Sequence, residues 1–230
     1  MAVANVGANV VGGNPDVVNS VAGPPPVPSV IQVGDTGTAS VASGAAGSPL
    51  PGSVTAGNTV ILNVGVISAT GQSTTVTSNR GTPILVIRQA AAGGGQNDLE
   101  QWYLPVTSTG ALTVTVTTSD ATNWRCQAVE ASNCPNVSLA GQFAGSAQTT
   151  PTCPCGTTGK TNQLLVAAMN SSSVPTAGPG APWTVYNAGG WTFANRWSSA
   201  YQVFAPGTGT TAQWSQPSGA VVMSAVFANT

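Results

Sequence analysis

The sequence has no histidine, a single lysine (Lys160), and only 11 charged side chains in 230 residues, five basic and six acidic. Charged residues make up 5% of the chain, against about 25% in an ordinary soluble protein. Without histidine, a histidine-dependent catalytic triad and a histidine-ligated metal are both excluded. With five basic residues there is no electrostatic footprint for a phosphate backbone, so nucleic acid is not an expected partner. No uninterrupted run of 18 apolar residues occurs, so no membrane-spanning helix is expected. The opening Met1-Ala2-Val3-Ala4-Asn5-Val6-Gly7 lacks a basic n-region and is broken by Asn and Gly. It makes a poor signal peptide, and synthesis in the cytosol without export is the expectation. No stretch shows helical spacing of its apolar residues.

What remains is a chain of small neutral residues. Hydrophobic residues account for 41%, which excludes disorder driven by charge. Glycine (28) and proline (17) are both abundant. A freely diffusing monomer usually carries charge that resists association. A surface of hydroxyls, amides and small apolar groups suits a protein lodged permanently beside other subunits, because little on it titrates or is screened by salt.

Residues 1 to about 50 contain no aromatic and no basic residue, and Asp16 and Asp35 are their only charges. Pro24, Pro25 and Pro26 predict an extended, polyproline-like run without ladder donors. Val30, Ile31 and Val33 predict one short strand. So few large apolar groups cannot bury much unaided. Either this is an arm ordered by a neighbour, which Pro24, Pro25, Pro26, Val30, Ile31 and Val33 would grip, or it is a loose tail.

Residues 51–230 read as β-structure. Strands are predicted at Thr59–Val66, Pro83–Arg88, Gln101–Val106, Ala111–Thr117 and Arg125–Glu130. The strict apolar/hydroxyl alternation of Ala111–Thr117 marks a half-buried antiparallel strand. Turn signals recur roughly every 8 to 15 residues, which suggests a sandwich. There is also an internal echo. Asn58–Leu62, Tyr103–Val106 and Trp124–Val129 are followed, in the same order, by Asn162–Val166, Tyr201–Pro206 and Val222–Phe227. Two halves of about four strands each predict an all-β antiparallel sandwich of two sheets, a jelly roll of about eight strands, preceded by the extended arm.

Six segments carry a resemblance: Gly57–Val66, Trp102–Thr117, Gln127–Ala131, Gln163–Ala167, Tyr201–Gly209 and Ser224–Ala228. Together they resemble a widespread bacterial and phage β-sandwich module found in virion and cell-surface proteins. The likeness spans about residues 54 to 229. Glu130-Ala131-Ser132-Asn133 stands where that module usually has Glu-Tyr-Ser-Gly. The resemblance implies a jelly-roll-like or galectin-like sandwich and does not imply an enzyme.

Several motifs invite chemistry. Cys155-Gly156-Thr157-Thr158-Gly159-Lys160-Thr161 looks like the end of a phosphate loop, but Pro154 occupies the first glycine position and has no N–H to offer. An exposed loop is expected instead. Cys126, Cys134, Cys153 and Cys155 fall within thirty residues. Their spacing leaves open disulfides, free buried thiols or, least in keeping with zinc-knuckle spacing, a metal. Asp98 and Glu100 would share a strand face and could pair as acid and base. They follow the loop Ala91–Gly95, where solvated charge is the expectation. Trp191, Asn195, Arg196 and Trp197 could form a sugar-stacking patch, although a sandwich with only four Phe and three Tyr also needs its six tryptophans for packing. Arg80, Arg88, Arg125 and Arg196 are expected to pair with the few acids.

No cofactor and no metal are expected, and no catalysis. The leading expectation is a phage virion structural protein, a capsid decoration or cement protein in head or tail. Its partners would be the major capsid protein or other virion subunits, and it would form homo-oligomers, with trimers the natural arrangement. A tail-fibre or surface adhesin binding host glycan through Trp191–Trp197 is the alternative. A hydrolase using Asp98 and Glu100 ranks third.

Overall fold

The computed structural model describes residues 26–36, 41–67, 74–90, 97–119, 123–156, 162–186, 197–204 and 210–229. The described residues form eighteen strands and no helix. The first half holds β1 (Ser29–Asp35), β2 (Val41–Ala42), β3 (Ala46–Gly47), β4 (Ser53–Val54), β5 (Thr59–Ile67), β6 (Thr74–Ser78), β7 (Ile84–Gln89), β8 (Asn97–Pro105), β9 (Gly110–Ala111), β10 (Val114–Thr118) and β11 (Asn123–Ser132). The second holds β12 (Asn136–Gln148), β13 (Thr152–Cys155), β14 (Gln163–Ser171), β15 (Thr184–Tyr186), β16 (Trp197–Phe204), β17 (Thr210–Gln213) and β18 (Gly219–Asn229).

Each half builds a large and a small sheet, and the first adds the two-stranded ribbon β4–β9. The first has a large sheet ordered β1-β11-β5-β8-β7, with β2 also on β11, and a small sheet ordered β3-β10-β6. The second has a large sheet ordered β12-β18-β14-β16-β15 and a small sheet β13-β17. All of these pairings are antiparallel. In seven main strands the two halves repeat one another. In both large sheets the half's first long strand pairs with its last, and β13–β17 repeats β3–β10. β6 and the two-residue strands β2, β4 and β9 have no counterpart strand among the described residues of the second half. The internal echo is therefore structural, but its two halves are two sandwiches and not the two sheets of one.

The large sheets pack face to face, which makes a four-layer stack with three apolar seams. Val60, Leu62, Val64 and Val66 of β5 turn toward Val76, Val114 and Val116 of the small sheet, with Trp102, Leu104 and Trp124. Leu165, Ala167 and Met169 of β14 meet Cys153, Cys155, Ala212, Trp214 and Met223. Between the halves, Ile61, Val129 and Ala131 pack on Leu164, Val166, Val226 and Ala228. A strand in a middle layer is buried on both faces, which explains why β5 (TVILNVGVI) and β14 (QLLVAAMNS) are near-continuous apolar runs. Strand β10 lies in an outer layer, and there the alternation holds: Val114 and Val116 are buried while Thr117 is exposed.

Part of the expected arm belongs to the sandwich. Strand β1 pairs with β11 from Ser29↔Ser132 to Asp35↔Gln127, and Leu50 lies in the first core. Val30 and Val33 are half-buried against the central seam, while Pro26 and Ile31 are exposed. The boundary expected at residue 50 thus cuts through the first sandwich. Pro24 and Pro25 lie outside the described residues. Residues 133–135 alone join the halves. Asn133 takes a left-handed φ of 59° and its amide donates to the Val27 carbonyl at 3.1 Å, a conformation Asn tolerates better than most residues.

Candidate functional site

The carboxylates expected in solvent are inside the protein. Asp98 and Glu100 sit on β8 at 4% and 1% exposure. Strand pairing to β5, at Val66 and Val64, continues past the loop and carries both into the core. Glu100 accepts from Arg88 Nε at 2.5 Å and from Trp102 Nε1 at 2.7 Å, and Arg88 also donates to the Thr74 carbonyl. The expected arginine–acid pairing is realised here. Arg80 instead donates to the Ala111 carbonyl. The guanidinium of Arg125 is shifted downward by burial, against the pull of Asp35.

A third buried acid, Glu130, escaped the sequence reading. It is fully buried and accepts from Gln32 Nε2 (2.6 Å), the Thr55 backbone N–H (2.8 Å) and Asn58 Nδ2 (2.7 Å). It staples β1 and the 52–58 turn to β11. Glu130 pairs across β5 with Val60 and Glu100 with Val64. Four residues of strand separate them by about 13 Å, beyond the roughly 9.5 Å that a glycosidase pair spans. Both carboxylates are engaged by donors that hold structure together.

All four cysteines are buried free thiols. They divide among all three seams: Cys126 in the first core, Cys134 at the central seam, and Cys153 with Cys155 in the second core. Cys126 on β11, Cys134 in the 133–135 connection and the Cys153/Cys155 pair on β13 fall in different seams, so closeness in sequence is not kept in space. Burial pushes the Cys134 thiol up to about 11 and raises Cys126 further. The hydrogen bond between Cys153 and Cys155 raises the former and lowers the latter. Among the described residues no three His, Cys, Asp or Glu side chains cluster as a metal site. Of the phosphate-loop-like segment, Cys155 ends β13 and the Gly156 N–H donates to the Ala140 carbonyl; residues 157–161 lie outside the described residues.

The tryptophans mostly pack. Trp102, Trp124 and Trp214 are core residues whose indole N–H groups reach Glu100, the Ala42 carbonyl and Ser198 Oγ. Trp197, expected in a sugar patch, is 6% exposed and lies on Gly65 of the opposite half, where a Cβ would collide with its ring. It belongs to the central seam. Trp191, Asn195 and Arg196 lie outside the described residues. A polar chain runs beside Trp197. Asn63 donates to Tyr186 Oη and Ser199 Oγ, Gln101 donates to Asn63, and Ser199 donates to Gln127, at 2.5–2.9 Å. Every member lies between the large sheets, so the chain fixes how they register.

One open cleft is built from the second half. Its volume is about 310 Å³, and Pro179, Gly180, Ala181, Pro182, Trp183, Gln202, Thr211 and Gln213 line it. Its position follows from the repeat. In the first half, the chain between β5 and β7 forms β6 and pairs along β10. The equivalent stretch, residues 172–183, carries Pro175, Pro179 and Pro182, which cannot donate to a ladder. Only Ala177 pairs there, with Ser215 just past β17. Farther along, Trp183 Nε1 donates to the Thr211 carbonyl at 3.2 Å in place of a strand. The space that a counterpart of β6 would fill is left as the cleft. The signal available in the sequence was this proline cluster before Trp183, at the place where the first half has Thr74–Ser78.

Comparison with protein-family models, with curated proteins and with solved structures found no match.

Proposed function

We propose that this chain is a phage virion structural protein, a capsid decoration or cement protein that works by adhesion and not by catalysis. In this reading each half is a jelly roll. The support is the strand order: numbering the eight main strands of the first half in chain order, its sheets run 1-8-3-6-5 and 2-7-4. A jelly roll divides 1-8-3-6 from 2-7-4-5, so only the fifth strand has changed sheets.

The observation that carries the functional reading is the charge census of the surface. Of six carboxylates in the chain, Asp98, Glu100 and Glu130 are buried. An already neutral protein therefore presents still less charge to solvent. Such a surface offers no barrier to close contact with neighbours. Residues 1–25, which include Pro24 and Pro25, precede in sequence the segment in which Val27 and Ile31 stand about half exposed. In the proposed mechanism this leading segment lies along the major capsid protein or another virion subunit. Each Å² of apolar area removed from water contributes about 25 cal/mol, and added strand pairing fixes the register. Trimers projecting from the shell are the expected assembly.

The test is deletion of residues 1–25, which spares β1, in place of any cut at residue 50. The shortened protein should fold with an unchanged urea midpoint and fail to co-sediment with particles. Mass spectrometry of purified particles should count the full chain in hundreds of copies. Shell binding that survived the deletion would remove the arm from the mechanism. A monomer never recovered with particles would remove the virion reading itself.

A further inference from the structure

We infer that the cleft beside Trp183 is a binding site for a neutral saccharide. This goes beyond the proposed structural role and rests on different residues.

Three observations carry it. First, the cleft holds an unmet polar demand. Gln202 is 3% exposed and lines the cleft, and its Oε1 has no hydrogen-bond partner. A buried amide left unpaired costs about 1–3 kcal/mol, and native proteins keep such groups where a ligand or water completes them. Second, no lining residue is charged. The lining offers amides at Gln202 and Gln213 and a hydroxyl at Thr211, groups that both donate and accept as the hydroxyls of a sugar ring do. A charged ligand would find no counter-ion here. Third, Trp183 supplies an apolar surface whose orientation is set. Its N–H is already committed to the Thr211 carbonyl, so the ring itself is what remains for contact with the C–H face of a pyranose.

The volume of about 310 Å³ lies at the lower end of ligand sites, roughly 300–1,000 Å³, and suits a short saccharide. An extended peptide fits less well. It would bind by adding a strand, and the free side of β17 is already occupied by Trp183 at Thr211 and by Ala177 at Ser215. In the first half β6 occupies the equivalent place beside β10.

The experiment uses the full-length protein, free of particles, on an array of neutral, sialylated and sulfated glycans. Titration calorimetry with maltotriose, cellotriose and the N-acetylglucosamine trimer follows. Binding to at least one neutral glycan is expected. Trp183→Ala and Gln202→Leu should each weaken it at least tenfold. Gln213→Ala, on an exposed side chain, should weaken it a few-fold while leaving the fold untouched, which covers the case where a buried variant misfolds. Trp183→Phe should retain part of the affinity. Binding confined to charged glycans, binding indifferent to all four substitutions, or no binding to any neutral glycan would each overturn the inference. The result is independent of shell attachment, since deletion of residues 1–25 should leave saccharide binding unchanged.

Discussion

The two halves share one strand order and spend it differently. The first closes its small sheet with β6, fills its core with Val and Leu, and buries two glutamates in complete hydrogen-bond shells. The second loses that strand to prolines and fills its core with Met, Ala and Cys around Trp214. It is left with a cleft lined by Gln202. One topology thus yields a closed sandwich and an open one, and the difference lies in whether a single segment can donate to a ladder. A repeat that keeps its large sheet must keep the face that packs on its twin. Its outer sheet is under no such constraint and can be remodelled.

The largest expected effect tests the polar staple found only in the first half. Glu130→Ala strips the acceptor from Gln32, the Thr55 N–H and Asn58 at once, and should cost about 4 kcal/mol in urea unfolding. Glu130→Gln should recover part of that loss. A cost below 1 kcal/mol would mean that β1 and the 52–58 turn are held by something else.

Next comes the seam the halves share. Gly65→Val places a branched side chain where the Trp197 ring lies and should cost about 3 kcal/mol. Because the collision is between halves, the variant should also split one unfolding transition into two, which calorimetry would resolve. A single, merely shifted transition would show that the sandwiches do not unfold separately.

The contrast in core composition is sharpened by a pair of milder changes. Leu62→Ala in the aliphatic core should cost about 3 kcal/mol. Met223→Leu in the second core should cost about 1 kcal/mol, because thioether side chains adapt to irregular space. Equal costs would erase the distinction between the cores.

The smallest effect is alkaline. The Cys134 thiol, raised from 9.0 to about 11 by burial, is neutral in the folded protein while the same thiol ionises in the unfolded chain. Its contribution is whole below pH 9 and lost as the pH rises toward 11. Cys126 and Tyr186, raised chiefly by burial, act in the same sense, and Cys155, lowered by its bond with Cys153, acts against them. The urea midpoint should fall between pH 8.5 and about 10.5. Cys134→Ala should make that fall shallower, and an unchanged slope would discount this thiol.

Much of the β-architecture was legible. Alternation at Val114 and Val116, the strand at Val30–Val33 and the echo of Asn58–Leu62 in Asn162–Val166 all carry period-two or repeat signals that need no knowledge of neighbours. The doubly buried runs of β5 and β14 also carried a message, since a strand with a wet face does not read as TVILNVGVI or QLLVAAMNS. The fate of the charges was not legible. Asp98 and Glu100 beside a glycine loop look solvated, and only the pairing of β8 with β5 carries them inward. The same holds for Trp197, whose neighbours in sequence suggest a surface patch and whose true neighbour, Gly65, is 132 positions away.

By itself the amino-acid order determined that this protein is all-β, nearly uncharged and internally repeated, because periodicity and composition act over a few residues at a time. Tertiary structure alone decided that the repeat makes two sandwiches stacked on their large sheets, that Asp98, Glu100, Glu130 and the thiols lie dry, and that an uncharged cleft opens where a strand is missing. Those outcomes depend on which distant segments meet, and burial, desolvation and cavity shape are properties of the meeting.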